Sequence, residues 1–354
     1  AIWFVSVFIV WSVHWPYAKL LISVDAVIKC FAAGFTIATT FALTWELIGG
    51  LILAGLADLS VLLIKAVDEI VNTGSSTSDD DYYAAANNNG AVDDAVAAAV
   101  DDGYANDDWQ GNAAASIFPQ TIMTDLGKDY PILYIIYLFF HAFFVAALVE
   151  EVAKYLTFTM LSKSPDFLSE DELKKVIEDT CNGDNNEVDP IRMSKIPCEA
   201  QNKGGLKGQC TAIIVAMVAV AMGFSCCENL VYAFVYGDSD MSMFILYSRI
   251  FLPIHPICSA WQAIGICRRD IEEDSSVQSE WILLRGFLLH GLFDFLIMCI
   301  GYWELTDSVS LIVSSVLSAT LILTGLIGVI IQKRALDKRL ERRAWIKYAT
   351  QNCK

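Results

Sequence analysis

Residues 130–161 read YPILYIIYLFFHAFFVAALVEEVAKYLTFTML, an apolar run broken by one polar motif, Glu150-Glu151-x-x-Lys154. A helix rising ~1.5 Å per residue needs about 20 such residues to cross the ~30 Å hydrocarbon core of a bilayer, and this run is long enough. An ionisable group at the centre of a span costs roughly 2.5–3.5 kcal/mol on insertion scales, so these three must face protein rather than lipid. Glu150 and Lys154 are i,i+4 and Glu151 and Lys154 are i,i+3, which puts both carboxylates and the ammonium on one helix face.

Six further apolar runs flank this one, at 1–15, 28–65, 209–236, 241–267, 281–303 and 308–331. The composition agrees: 55% of the 354 residues are hydrophobic and 18% charged, and the mean hydropathy is +0.47. Soluble domains carry about 25% charged residues. A chain this apolar cannot cover a soluble surface, so a soluble enzyme is excluded. No period-2 pattern of barrel type is visible, and the fold expected is all-α, a polytopic transmembrane helical bundle of about seven spans. The run 28–65 is too long for one straight span, and Gly49-Gly50 and Gly55 offer places for it to bend.

Charge orders the spans. The net charge is −17, but it is localised. Residues 72–129 hold eleven Asp against Lys128 alone, whereas 332–354 hold eight Lys or Arg against Asp337 and Glu341. Basic loops favour the cytoplasmic side. Seven spans place 16–29, 162–207, 268–280 and 332–354 there, and the acidic loop 72–129 on the other side. That loop, with SSTSDDDYYAAANNNGAVDDAVAAAVDDGYANDDW at its centre, has too few large apolar residues to offset chain entropy and is expected to be disordered. Within 162–207 the stretch SEDELKKVIED suggests one short capped helix. An acidic chain gives no reason to expect nucleic acid as a partner; the bilayer is one. Ten Cys lie mostly in apolar runs, and Cys181 and Cys198 share one loop, where pairing is left open. The chain begins at Ala1 inside an apolar run, so no signal peptide is read from it.

The other polar residues inside the spans repeat the pattern. Glu228-Asn229 with Tyr232 lies in 209–236, Arg249 and His255 in 241–267, and His290 with Asp294, i,i+4, in 281–303. Left unpaired, the six formal charges would cost roughly 15–20 kcal/mol. The four sets must therefore meet. Pro256 disfavours α geometry at His255, so a broken helix lining a cavity is expected there. Glu150, Glu151, Glu228 and Asp294 outnumber Lys154 and Arg249 by two charges, which a divalent cation or two protons would balance. On these boundaries Glu228 falls toward the outer end of its span and His290 toward the inner end of its own, a mismatch in depth for one site. His14 and His141 have no charged helical neighbour and read as structural.

Glu150-Glu151-x-x-Lys154, then Gly223-Phe224-x-x-x-Glu228-Asn229-x-x-Tyr232, then Arg249 with His255 and Gly265, then His290-x-x-x-Asp294, resemble the PrsW family of intramembrane proteases, relatives of the CAAX-processing and bacteriocin-processing endopeptidases. Phe31-x-x-Gly34 belongs to the resemblance, which covers roughly 28–303. It departs at Asp294, where that family often has Asn. The resemblance implies hydrolysis of a peptide bond in a membrane-associated protein substrate, by a glutamate-activated or metal-activated water. Glu150, Glu151, Glu228, His255 and His290 are then the catalytic candidates, with Lys154, Asn229, Tyr232, Arg249 and Asp294 in support. His255, His290 and Glu228 could bind a metal, Zn2+, or act without one; no His-Glu-x-x-His motif is present. The domain plan is N-terminal spans (1–71), acidic loop (72–129), the Glu-Glu-x-x-Lys span (130–161), a cytoplasmic loop (162–207), a catalytic core (208–303), a last span (304–331) and a basic tail (332–354). Two other classes fit intramembrane ionisable groups: an ion- or proton-coupled transporter or channel, and a non-catalytic subunit that keeps the protease fold.

Overall fold

A computed structural model describes residues 2–15, 22–75, 127–162, 206–235, 254–302 and 307–352. Most of the acidic loop, the SEDELKKVIED stretch, Cys181, Cys198 and Arg249 lie outside those residues. The described residues are helical, with no strand among them. Helix α1 is Ile2–His14. Helix α2 runs through Val24–Ala33, Gly34–Ala38 and Thr39–Ser75 without interruption. Helix α3 is Pro131–Ser162, α4 is Leu206–Val235, α5 is Ile254–Ile266 continued by a π-helical turn at Cys267–Ile271, α6 is Ser279–Tyr302 and α7 is Asp307–Asn352. Five of these, α2, α3, α4, α6 and α7, are long and apolar enough to cross a membrane; α1 and α5 are shorter apolar helices. The protein is an all-α polytopic membrane bundle.

Inter-residue contacts divide the chain into two units, Ala1–Gly50 with Ile135–Lys354, and Leu51–Tyr134. The described part of the second unit holds the later half of α2, with Leu51, Ile52 and Leu62 exposed, and the start of α3. Pro131 opens α3, where its missing N–H deprives no partner.

In the first unit α4 is the central helix. It packs against α1, α2, α3 and α5, and most of its apolar length is buried. Small residues allow this: Ala216, Ala219 and Ala221 are fully buried. At the crossing with α2 the two backbones touch. A Cβ on Gly34 would collide with the Val220 carbonyl, and one on Gly223 with the Phe31 carbonyl. That contact accounts for Phe31-x-x-Gly34 and Gly223-Phe224 as packing motifs rather than chemistry. By contrast α2 and α7 leave rows of large apolar side chains exposed, such as Ile37, Phe41 and Trp45, as lipid-facing helices must.

The irregular turn in α2 is π-helical and falls at Gly34–Ala38; Gly49, Gly50 and Gly55 sit in regular helix. One expectation is corrected: His255 is α-helical although Pro256 follows it, and residues 241–253, where the rest of that span was read, lie outside the described residues. The last span and the basic tail are one helix of 46 residues. Its extension docks. Leu336 and Leu340, i,i+4, are buried against Cys210, Ile264 and Cys267. Arg339 donates from Nε and Nη2 to the two oxygens of Glu272, at 2.7 and 3.0 Å, and Lys207 pairs with Glu341.

Candidate active site

A π-helical turn at His141–Ala147 precedes the α-helical Leu148–Ser162 segment, whose first turn carries Glu150 and Glu151. Such turns concentrate at functional sites, because the extra residue re-aims the helix face that follows. Glu150, Glu151 and Lys154 of α3, Glu228 of α4, His255 of α5, and His290 and Asp294 of α6 are all buried. Their side chains meet in the first unit.

Glu151 is the most heavily bonded member. Its Oε1 accepts from Lys154 Nζ at 2.5 Å and lies 2.9 Å from His290 Nδ1. Its Oε2 accepts from Gln262 Nε2 at 2.6 Å. Glu228 Oε2 lies 2.8 Å from His255 Nε2. Each imidazole is thus held on one nitrogen by a carboxylate, Nδ1 of His290 by Glu151 and Nε2 of His255 by Glu228; for His255 this assigns the proton of the neutral ring to Nε2, while His290 has a second carboxylate, Asp294, 3.3 Å from Nε2. The opposite nitrogens turn toward Glu150. Its Oε2 is 3.6 Å from His255 Nδ1 and 3.7 Å from His290 Nε2. The two rings stand edge to face, with centroids 4.8 Å apart. Lys154 Nζ also approaches His255 Nδ1, at 3.1 Å, and lies over the Phe224 ring, 4.9 Å from its centroid.

Two atoms at the centre have no hydrogen-bond partner, Glu150 Oε2 and His290 Nε2. Orphaned buried polar atoms are rare and call for an explanation. The two lie 3.7 Å apart, close enough for both to hold one small group. Glu150, His255 and His290 each offer a ligand atom, and these lie within 4.8 Å of one another. Tetrahedral zinc with bonds of about 2.0–2.2 Å spaces its ligands about 3.4 Å apart, near the separations from Glu150 Oε2 to both imidazoles. The carboxylates behind the imidazoles supply the outer shell that metal-binding histidines use. The residues fit a divalent cation. Lys154, which contacts His255 Nδ1 at 3.1 Å, would keep its bond to Glu151 if that nitrogen served as a ligand.

The depth mismatch between Glu228 and His290 does not arise, since His255 touches both side chains' neighbourhoods at once. Glu228 was expected beside His255 and His290 as a ligand; the carboxylate that groups with them is Glu150, and Glu228 stands behind His255. Asp294 Oδ2 is 3.3 Å from His290 Nε2. Asn229 is buried and donates to Ser225 Oγ at 3.4 Å, and Tyr232 is half-buried one turn beyond Glu228. His14 approaches the Ile22 carbonyl, and His141 packs beside Tyr137 within electrostatic reach of Asp294. Gln262 was missed. It stands seven residues after His255, two helical turns along the same face, and that spacing was the available signal.

A multi-span helical bundle that gathers carboxylates and imidazoles around unpartnered buried atoms has the architecture of an intramembrane hydrolase. Residues 111–326 match the family model described as PrsW family intramembrane metalloprotease, and the chain belongs to that family. The match extends into α7, beyond the span over which the motifs alone carried the resemblance, and does not reach Phe31-x-x-Gly34. No match was found among curated proteins or among solved structures.

Proposed function

We propose that the protein hydrolyses a peptide bond of a membrane-associated protein, with Glu150 as the carboxylate that activates water. The observation that carries this reading is the facing pair of buried, unpartnered atoms, Glu150 Oε2 and His290 Nε2, 3.7 Å apart. Glu151 is ill-suited to the same task, because both of its oxygens are committed to Lys154, His290 and Gln262.

A water bridging the two atoms is oriented by the lone pair of His290 Nε2 and loses its proton to Glu150 as its oxygen attacks the scissile carbonyl carbon. Glu150 returns that proton to the leaving nitrogen as the C–N bond breaks, which yields one carboxylic acid and one amine. Lys154, whose ammonium is held beside His255 Nδ1, is placed to face the developing oxyanion, and His255, held by Glu228, orients that ammonium. Glu150, His255 and His290 would also hold a divalent cation, Zn2+, whose chemistry there is Lewis-acid polarisation and a lowered pKa of bound water. Asp294 supports His290. Asn229 and Tyr232 extend the polar face of α4 toward the substrate.

The distribution of Lys and Arg supports an orientation with 72–129 outside the cytoplasm and 332–354 inside it. Protease protection on sealed vesicles tests it: digestion of both segments from one side overturns it. For the chemistry, Glu150→Gln and His290→Ala should each lower cleavage of a reconstituted transmembrane peptide by about 100-fold or more, the usual share of a positioned acid–base group. Cleavage at the wild-type rate in both would return the site to the transporter or structural readings.

A further inference from the structure

Gln262 has no part in the reading above, yet its side chain is fully buried at the site. Its Nε2 donates at 2.6 Å to Glu151 Oε2, while its own Oε1 is buried without a hydrogen-bond partner. An amide that satisfies a neighbour and leaves half of itself orphaned costs stability, and an apolar side chain of the same size would avoid that cost. Space is kept for the contact: a Cβ on Gly286 of α6 would lie 3.2 Å from Glu151 Oε2 and 3.3 Å from Gln262 Nε2.

We infer that Gln262 is a positioning residue, acting through Glu151 to set the direction of the His290 ring. The inference rests on the proposal that Glu150 and His290 hold the reacting water. Glu151 has two tasks on opposite oxygens. Oε1 meets Lys154 and His290 Nδ1, and Oε2 meets Gln262 alone among the described side-chain hydrogen bonds. With Oε2 anchored, the carboxylate plane cannot rotate, and Oε1 stays where it receives the proton of His290 Nδ1. That holds the ring of His290 with Nε2 between Glu150 and Asp294, 3.7 and 3.3 Å away. Released at Oε2, Glu151 can turn toward Lys154, three residues along its own helix, and the imidazole loses the partner that fixes it. Helix α5 therefore supplies His255 to the centre directly and, two turns later, the amide that orients the histidine of α6.

The test is steady-state kinetics of the full chain in phosphatidylcholine vesicles, with a quenched-fluorescence transmembrane peptide as probe. Gln262→Met keeps the volume and removes the donor. Gln262→Asn keeps the amide but shortens its reach by one methylene, and serves should the Met variant fail to fold. Either should lower kcat at least tenfold and leave KM within about twofold, because Gln262 touches no substrate, whereas a packing role would spare the Met variant. Gln262→His, whose ring N–H reaches about as far as the native amide, should recover part of kcat. A kcat within twofold of wild type in a folded Met or Asn variant overturns the inference. Glu150→Gln, measured in parallel, separates this outcome from failure of the underlying proposal: an inactive Glu150→Gln beside a fully active Gln262→Met removes only the role of Gln262, while an active Glu150→Gln removes both.

Discussion

Replacing Lys154 with Met tests how the buried charges hold the bundle together. Lys154 heads the fully buried side chains by volume. Its Nζ lies 2.5 Å from Glu151 Oε1, 3.1 Å from His255 Nδ1 and 3.9 Å from Glu150 Oε2. Met fills nearly the same space, so little of the loss comes from a cavity. What goes is the ammonium that pairs with Glu150 and Glu151, and both carboxylates are left without it. Removing one partner of a buried pair destabilises by about 3–5 kcal/mol, mostly as the penalty on the carboxylate left behind. The double variant Lys154→Met with Glu151→Gln deletes both charges of the tightest pair, and its loss should fall to about 1–2 kcal/mol, since replacing a whole buried pair is far milder than breaking it. Reversible unfolding in mixed micelles, followed by circular dichroism, reads both numbers. A single variant within about 1 kcal/mol of wild type, or a double variant no more stable than the single, would falsify the reasoning.

Other consequences follow from packing and from the docked end of α7. Gly34→Val and Gly223→Val each force a side chain into a facing backbone carbonyl and should destabilise by about 1–3 kcal/mol, whereas Gly301→Ala, with open space around it, should be close to neutral in the same unfolding assay. Leu336→Ala or Leu340→Ala removes a fully buried side chain where α7 docks, at about 2–5 kcal/mol; limited proteolysis should then cut the extension while the spans stay protected. In the α5–α6 loop, hydrogen bonds from Ser276 and from Arg268 lower the Asp274 carboxyl from 3.8 to about 2. The folded value is depressed, so the loop's contribution is complete above pH ~3.8 and fades as pH falls toward 2. Hydrogen exchange at the Ser276 amide, which donates to Asp274 Oδ1, should stay slow at pH 4 and quicken below pH ~3.

The class of fold was legible because lipid leaves so few options. Long apolar runs must be helices, and ionisable residues within them must meet. That argument brought Glu150, Glu151, Lys154, Glu228, Arg249, His255, His290 and Asp294 together, of which Arg249 lies outside the described residues. It could not divide labour among them. Glu150 and Glu151 are adjacent in sequence, and only the partners on α5 and α6 distinguish a carboxylate bonded at both oxygens from one with an unpartnered oxygen. Gln262 escaped because a neutral amide costs little in a span and so raises no alarm, although its seven-residue spacing from His255 was on view. The docking of α7 escaped because a basic tail reads as solvated, while Leu336 and Leu340 show their i,i+4 stripe only once the helix is known to continue. Local rules misled at Pro256, where the preference against α geometry before proline did not keep His255 out of helix.

The pairing of Glu150 Oε2 with His290 Nε2 around a reacting water is open to direct inspection. An electron cryo-microscopy map that resolves ordered water, recorded from protein prepared with and without zinc, should show density bridging the two atoms in both preparations. Without zinc the bridging atom should lie ~2.6–3.2 Å from each, as a hydrogen-bonded water does. With zinc it should lie ~2.0–2.2 Å from Glu150, His255 and His290 together. Glu150 turned away from both imidazoles, or bonded directly to His290 with nothing between them in either map, would contradict the assignment of Glu150 as the group that activates water.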